Sequence, residues 1–97
     1  MAPTARDFEI GLRVAFGVGQ VAGLSHVDIR AGDLHADVGR YPGSDHRMPV
    51  CCRVMREHMV AGDRIMKQPP SGTGANLVVR YFLPRKSSSL LNRSALP

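Results

Sequence analysis

The spacing of apolar positions along this chain changes several times, and each change marks a boundary. From Asp7 to Val21, Phe8, Leu12, Ala15, Phe16 and Gly19 fall on one face at roughly 100° per residue, as in an amphipathic helix. Over the same stretch Ile10, Leu12, Val14, Phe16 and Val18 alternate as a strand would. Gly11, Gly17 and Gly19 add to the conflict, because each costs a helix about 1 kcal/mol relative to alanine. Both patterns stand; a helix is expected because the elements that follow need one in front of them. Gly23 closes the segment.

His26 to Arg30 alternates, with Val27 and Ile29 on one side, and predicts a short half-buried strand. Ala31, Leu34 and Val38 then recur at i, i+3 and i+7, with Gly39 where a helix C′ glycine belongs, so a two-turn helix follows. Arg40 to Ser44, RYPGS, is a turn cluster. The next helix begins between Asp45 and Pro49, with Ser44 or Asp45 as N-cap and Pro49 tolerated in the first turn. Cys51, Val54, Met55, His58 and Met59 share one of its faces; Pro49, Arg53, Arg56 and Glu57 share the opposite one. Ala61-Gly62-Asp63 stops it. Arg64 to Lys67 pairs with Asn76 to Leu83, in which Leu77, Val79, Tyr81 and Leu83 form one face and Val78, Arg80 and Phe82 the other. PPSGTGA between them reads as a solvent-facing hairpin tip. Beyond Pro84 the serine-rich RKSSSLLNRSALP is expected to be a disordered tail, giving a domain over 1–84 and a tail over 85–97.

Charge sharpens this picture more than composition does. With 97 residues, 43% hydrophobic and 22% charged, the chain fits one ordinary soluble domain with an aliphatic core. Residues 1–39 carry three Arg against five acids, a net of −2, while residues 40–97 carry ten Lys or Arg against three acids, a net of +7. So one-sided a field attracts phosphate polymers, unless the basic residues are simply a solvated face. Cys51 and Cys52 are adjacent and too few to staple a secreted domain, and no apolar run approaches the ~20 residues of a membrane span. A cytoplasmic location and no membrane contact are therefore expected.

The candidate chemical motifs fare less well. PPSGTGAN lacks the G-x-x-x-x-G-K-[ST] spacing of a phosphate loop and the helix that should follow it. Cys51 and Cys52 with His46 and His58 lack zinc-ligand spacing, and core thiols are the commoner case. Asp45-His46-Arg47 has residue types used by nucleases but lacks the further carboxylates that metal-assisted cleavage needs; Asp45 as helix cap is the simpler account. His35 has Asp33 and Asp37 nearby but no nucleophile. No enzymatic activity, cofactor or metal is expected.

The order helix, short strand, short helix, turn, basic helix, β-hairpin resembles the winged helix-turn-helix superfamily over Asp7 to Pro84. The resemblance implies an α+β, small winged-helix-like domain of three helices, a short strand and a C-terminal β-hairpin wing. In it Arg47 to Met59 would be the recognition helix and Gln68 to Asn76 the wing. The turn is longer than the three or four residues of a tight helix-turn-helix. The strings GDLHADVGRYPGSDHRMPVCC and PPSGTGANLVVRYFLPR are also similar to those of short uncharacterised bacterial proteins, which implies no function. The resemblance implies duplex DNA as partner, with Arg47, Arg53 and Arg56 offered to the major groove and Lys67, Ser71, Thr73 and Arg80 donating to phosphates near the wing. Gly72 and Gly74 would allow close backbone approach. The other reading is a protein-interaction adaptor on the same scaffold without DNA binding, using an apolar patch around Met48 and Val50 or at Val78 and Phe82. Neither reading sets an oligomeric state.

Overall fold

The computed structural model describes residues 3–39 and 47–85. They form three helices and a three-stranded antiparallel sheet in the order α1 (Ala5–Val21), β1 (His26–Arg30), α2 (Ala31–Val38), α3 (Met48–Glu57), β2 (Arg64–Lys67) and β3 (Val78–Phe82). The helix periodicity prevails over the strand alternation in the first segment. A capping box starts it: Thr4 Oγ1 accepts from the Asp7 backbone at 3.3 Å, and the Asp7 carboxylate accepts from the Thr4 backbone at 2.8 Å. Two of the glycines that argued against a helix are contact points. A Cβ on Gly19 would lie 2.7 Å from Val27 Cγ1 and 2.8 Å from Leu83 Cδ1, and one on Gly11 would lie 3.0 Å from Leu34 and Val38. Here the helix gives up propensity to bring its backbone close to β1 and α2.

β3 is the central strand, in the order β1-β3-β2. Val27 faces Tyr81 and Ile29 faces Val79 across one ladder, while Arg64 faces Arg80 and Ile65 faces Val79 across the other, which is irregular between Ile65 and Lys67. Leu77, Val79 and Tyr81 point into the core, as their alternation predicts, and meet Phe8, Leu12 and Phe16 of α1 and Cys51, Val54 and Met55 of α3. Tyr81 lies 4.9 Å from the Phe16 ring and donates its hydroxyl to the Met55 carbonyl at 2.7 Å, which satisfies the one polar atom this large side chain buries. Burial raises the Tyr81 pKa above its ordinary value.

Several boundaries differ from expectation. The turn over 40–44 and the proposed caps Ser44 and Asp45 lie outside the described residues, and the N-cap of α3 is Arg47, with no side-chain cap. Instead Arg47 donates its backbone N–H to Nε2 of the buried His35 at 2.7 Å, tying the start of α3 to α2. Cys52 is buried as well as Cys51, so the core face of α3 is wider than its i, i+3, i+4 spacing suggests. His58 is the C-cap and Met59 lies beyond the helix. Arg85, assigned from sequence to the tail, belongs to the fold. Its guanidinium pairs with the Asp63 carboxylate at 2.9 Å, and the two side chains are only 5% and 0% exposed. It also donates to the His58 carbonyl at 2.6 Å and lies 4.6 Å over the Phe16 ring and 5.2 Å over Tyr81. Asp63 in turn accepts from the backbones of Val60 at 2.8 Å and Phe82 at 3.0 Å. Both enclosed charges therefore have partners.

Candidate nucleic-acid interface

The loop between β2 and β3 is built from short-range bonds. Ser71 donates its hydroxyl to the Thr73 carbonyl at 2.7 Å, Gly72 donates its N–H to the Pro69 carbonyl at 2.8 Å, and Gly72 takes a φ of +80° that side chains rarely adopt. Its base is anchored from three sides. Ala31 and Gly32, whose N–H groups at the start of α2 need acceptors, donate to the carbonyls of Leu77 and Ala75 at 2.8 and 3.0 Å. The Cys52 sulfur sits 3.4 Å from both the N–H and the carbonyl of Gly74. Arg56 reaches from α3 to donate to the Gly72 carbonyl, and lies 3.5 Å from the Gln68 side-chain oxygen. A loop with no strands of its own is thereby held against the basic helix.

The seven residues singled out from sequence separate into two groups. Arg47 is exposed at the N-terminus of α3, and Arg53 is exposed one and a half turns on, 3.3 Å from Glu57 in an i, i+4 pair worth only ~0.3–0.5 kcal/mol. Lys67 is exposed at the end of β2, with Ser71 exposed and Thr73 half-buried in the loop. Arg56 and Arg80 are already engaged. Arg80 lies on the outer face of the sheet and grips Asp28 of β1 with two bonds, Nε to Oδ1 at 2.8 Å and Nη2 to Oδ2 at 3.0 Å. The Arg80 hydrogen bond holds the Asp28 pKa below the ordinary carboxylate value, against a smaller opposing effect of burial, and Asp28 raises that of Arg80 in return. Arg64, opposite Arg80 in the ladder, is an exposed cation that the helix-and-wing reasoning passed over; the edge position of β2 is the signal that would have found it.

Cys51 donates its thiol to the Ala31 carbonyl at 3.6 Å, and burial pushes its pKa up to about 12, so at neutral pH it is a protonated core thiol. Among the described residues no three His, Cys, Asp or Glu side chains converge as a metal site would require, and no helix is long and apolar enough to cross a membrane. The patch expected at Met48 and Val50 does not form, because Met48 is buried and Val50 half-buried, whereas Phe82 is exposed beside His26. Comparison with protein-family models, curated proteins and solved structures finds no match to this chain.

Proposed function

We propose that this chain is a small cytoplasmic domain of winged-helix type that binds duplex DNA, presenting α3 to the major groove and Gln68–Asn76 as the wing. The sheet order β1-β3-β2, with the hairpin following directly on the basic helix, supports the fold part of this reading. The observation that supports the functional part is the bond from Arg56 to the Gly72 carbonyl, which ties the uncharged loop to the basic helix. In this reading Arg47, Arg53 and Lys67 neutralise phosphates or read bases, Ser71 and Thr73 contact the backbone, and Arg56 sets the angle of the wing. Arg80, held by Asp28, acts as a sheet residue.

Three cationic contacts give a log–log salt slope near −2.7, taking about 0.9 for each phosphate. Titration of a labelled duplex against the protein at several salt concentrations checks this. Replacing Arg53 and Arg56 together by alanine should abolish binding, and Lys67→Ala should flatten the slope by about one. Binding that ignores salt, or a double variant that binds as well as the parent, refutes the proposal. The adaptor reading rests instead on Phe82, exposed on the outer face of the sheet, and predicts no duplex binding at any salt concentration.

A further inference from the structure

α1 is apolar on both sides. Phe8, Leu12 and Phe16 fill the core, yet Ile10, Val14, Val18 and Val21, within about 80° of one another on the opposite side, are exposed, with Val18 at 66% and Val21 at 91%. Valine and isoleucine are not chosen for helix propensity at exposed sites, and an apolar surface this continuous marks a site meant to be covered. Val14 and Val18 of this ridge form one lip of a groove of about 610 Å³, which Gly11 and Gly19 share with Val27, Ile29 and the Arg80-bound Asp28. Ridge and groove are therefore neighbours on one face.

We infer that this face is where two copies of the chain associate, about a two-fold axis running along α1, with the ridge of each copy seated in the groove of the other. Such an interface is self-complementary because each copy carries both halves. Charge agrees with the fit. Arg6 and Arg13 border the ridge on the side away from the groove, Asp37 borders the groove's far wall, and among the described residues none of the three makes an ion pair, while Asp7, at the N-terminal end of the ridge, is engaged in the capping box with Thr4. The two-fold arrangement brings the arginine border of each copy to the Asp37 border of the other, twice. The surface also lies in the half of the chain with a net charge of −2, so the strongly positive half is kept out of the contact. The inference does not depend on DNA binding.

Sedimentation equilibrium of the full chain, from low micromolar to near millimolar concentration, tests it. The expected result is a mass moving toward twice 10.5 kDa. Val18→Glu, which puts a carboxylate into the partner's groove, should raise the dissociation constant at least about 100-fold while the far-ultraviolet circular dichroism stays unchanged. Arg13→Asp should weaken association about 3- to 10-fold, and adding Asp37→Arg should restore it. A chain that remains a 10.5 kDa monomer throughout overturns the inference, whether the ridge stays bare or residues 86–97 cover it. A dimer indifferent to both Val18→Glu and the charge exchange overturns it equally.

Discussion

Replacing Arg85 by alanine removes the cation from a buried pair while leaving the Asp63 carboxylate with no exposed side-chain surface and only the Val60 and Phe82 N–H groups as donors. Breaking a buried pair from one side costs about 3–5 kcal/mol, because the remaining charge cannot return to water without unfolding. A domain of this size has roughly 5–15 kcal/mol of stability in total, so the variant loses about a fifth or more of it, with a fall in melting temperature of at least about 12 °C. Urea and thermal unfolding followed by circular dichroism, at fixed protein concentration, measure the loss. Asp63→Asn should cost a similar amount, since Arg85 is then the stranded charge. Joining Arg85→Met to Asp63→Leu should recover at least about 2 kcal/mol relative to the sum of the two single losses, because no charge remains buried. Lysine at position 85 should rescue only in part, for it lacks the planar fork that lies over Phe16 and Tyr81 while bonding Asp63 and His58. An Arg85→Ala variant within 1 kcal/mol of the parent would refute the reasoning and return Arg85 to the tail.

Two further expectations rest on single atoms. Gly17→Ala meets open space and should stabilise the helix by about 0.5–1 kcal/mol, whereas Gly19→Ala drives a methyl into Val27 and Leu83 and should destabilise by about 1–3 kcal/mol despite the same gain in propensity; equal effects on urea midpoints would show that α1 does not approach β1 so closely. Cys51 keeps its proton when folded up to about pH 12, whereas its ordinary value is 9.0, so unfolding releases a proton between these limits. Because the folded value is raised, this contribution is complete below pH 9 and is lost as pH rises, at about 1.4 kcal/mol per pH unit. Cys51→Ala should therefore flatten the alkaline limb of the stability curve, and an unchanged limb would count against a protonated core thiol.

Periodicity in the sequence was enough to specify the number and order of the elements and the type of all but the first, where helix and strand patterns coincide, because each helix and strand here must bury a face and that need leaves its period in the residues. The alternation of Leu77, Val79 and Tyr81 named the buried side of β3 correctly, and Gly39 marked the end of α2. Composition was likewise enough to divide the chain into an acidic half and a basic half. What the tertiary structure alone decided is which charges remain available. Arg53, Arg56, Arg80 and Arg85 look alike as letters, yet one is exposed beside Glu57, one ties down the loop between β2 and β3, one grips Asp28 across the sheet and one is enclosed with Asp63. Those partners lie between 4 and 52 residues away along the chain, and all but the nearest are set by how the sheet and helices meet rather than by any local pattern. The glycines of α1 tell the same story: local propensity counts them against a helix, and only the approach of β1 and α2 explains why Gly11 and Gly19 are there.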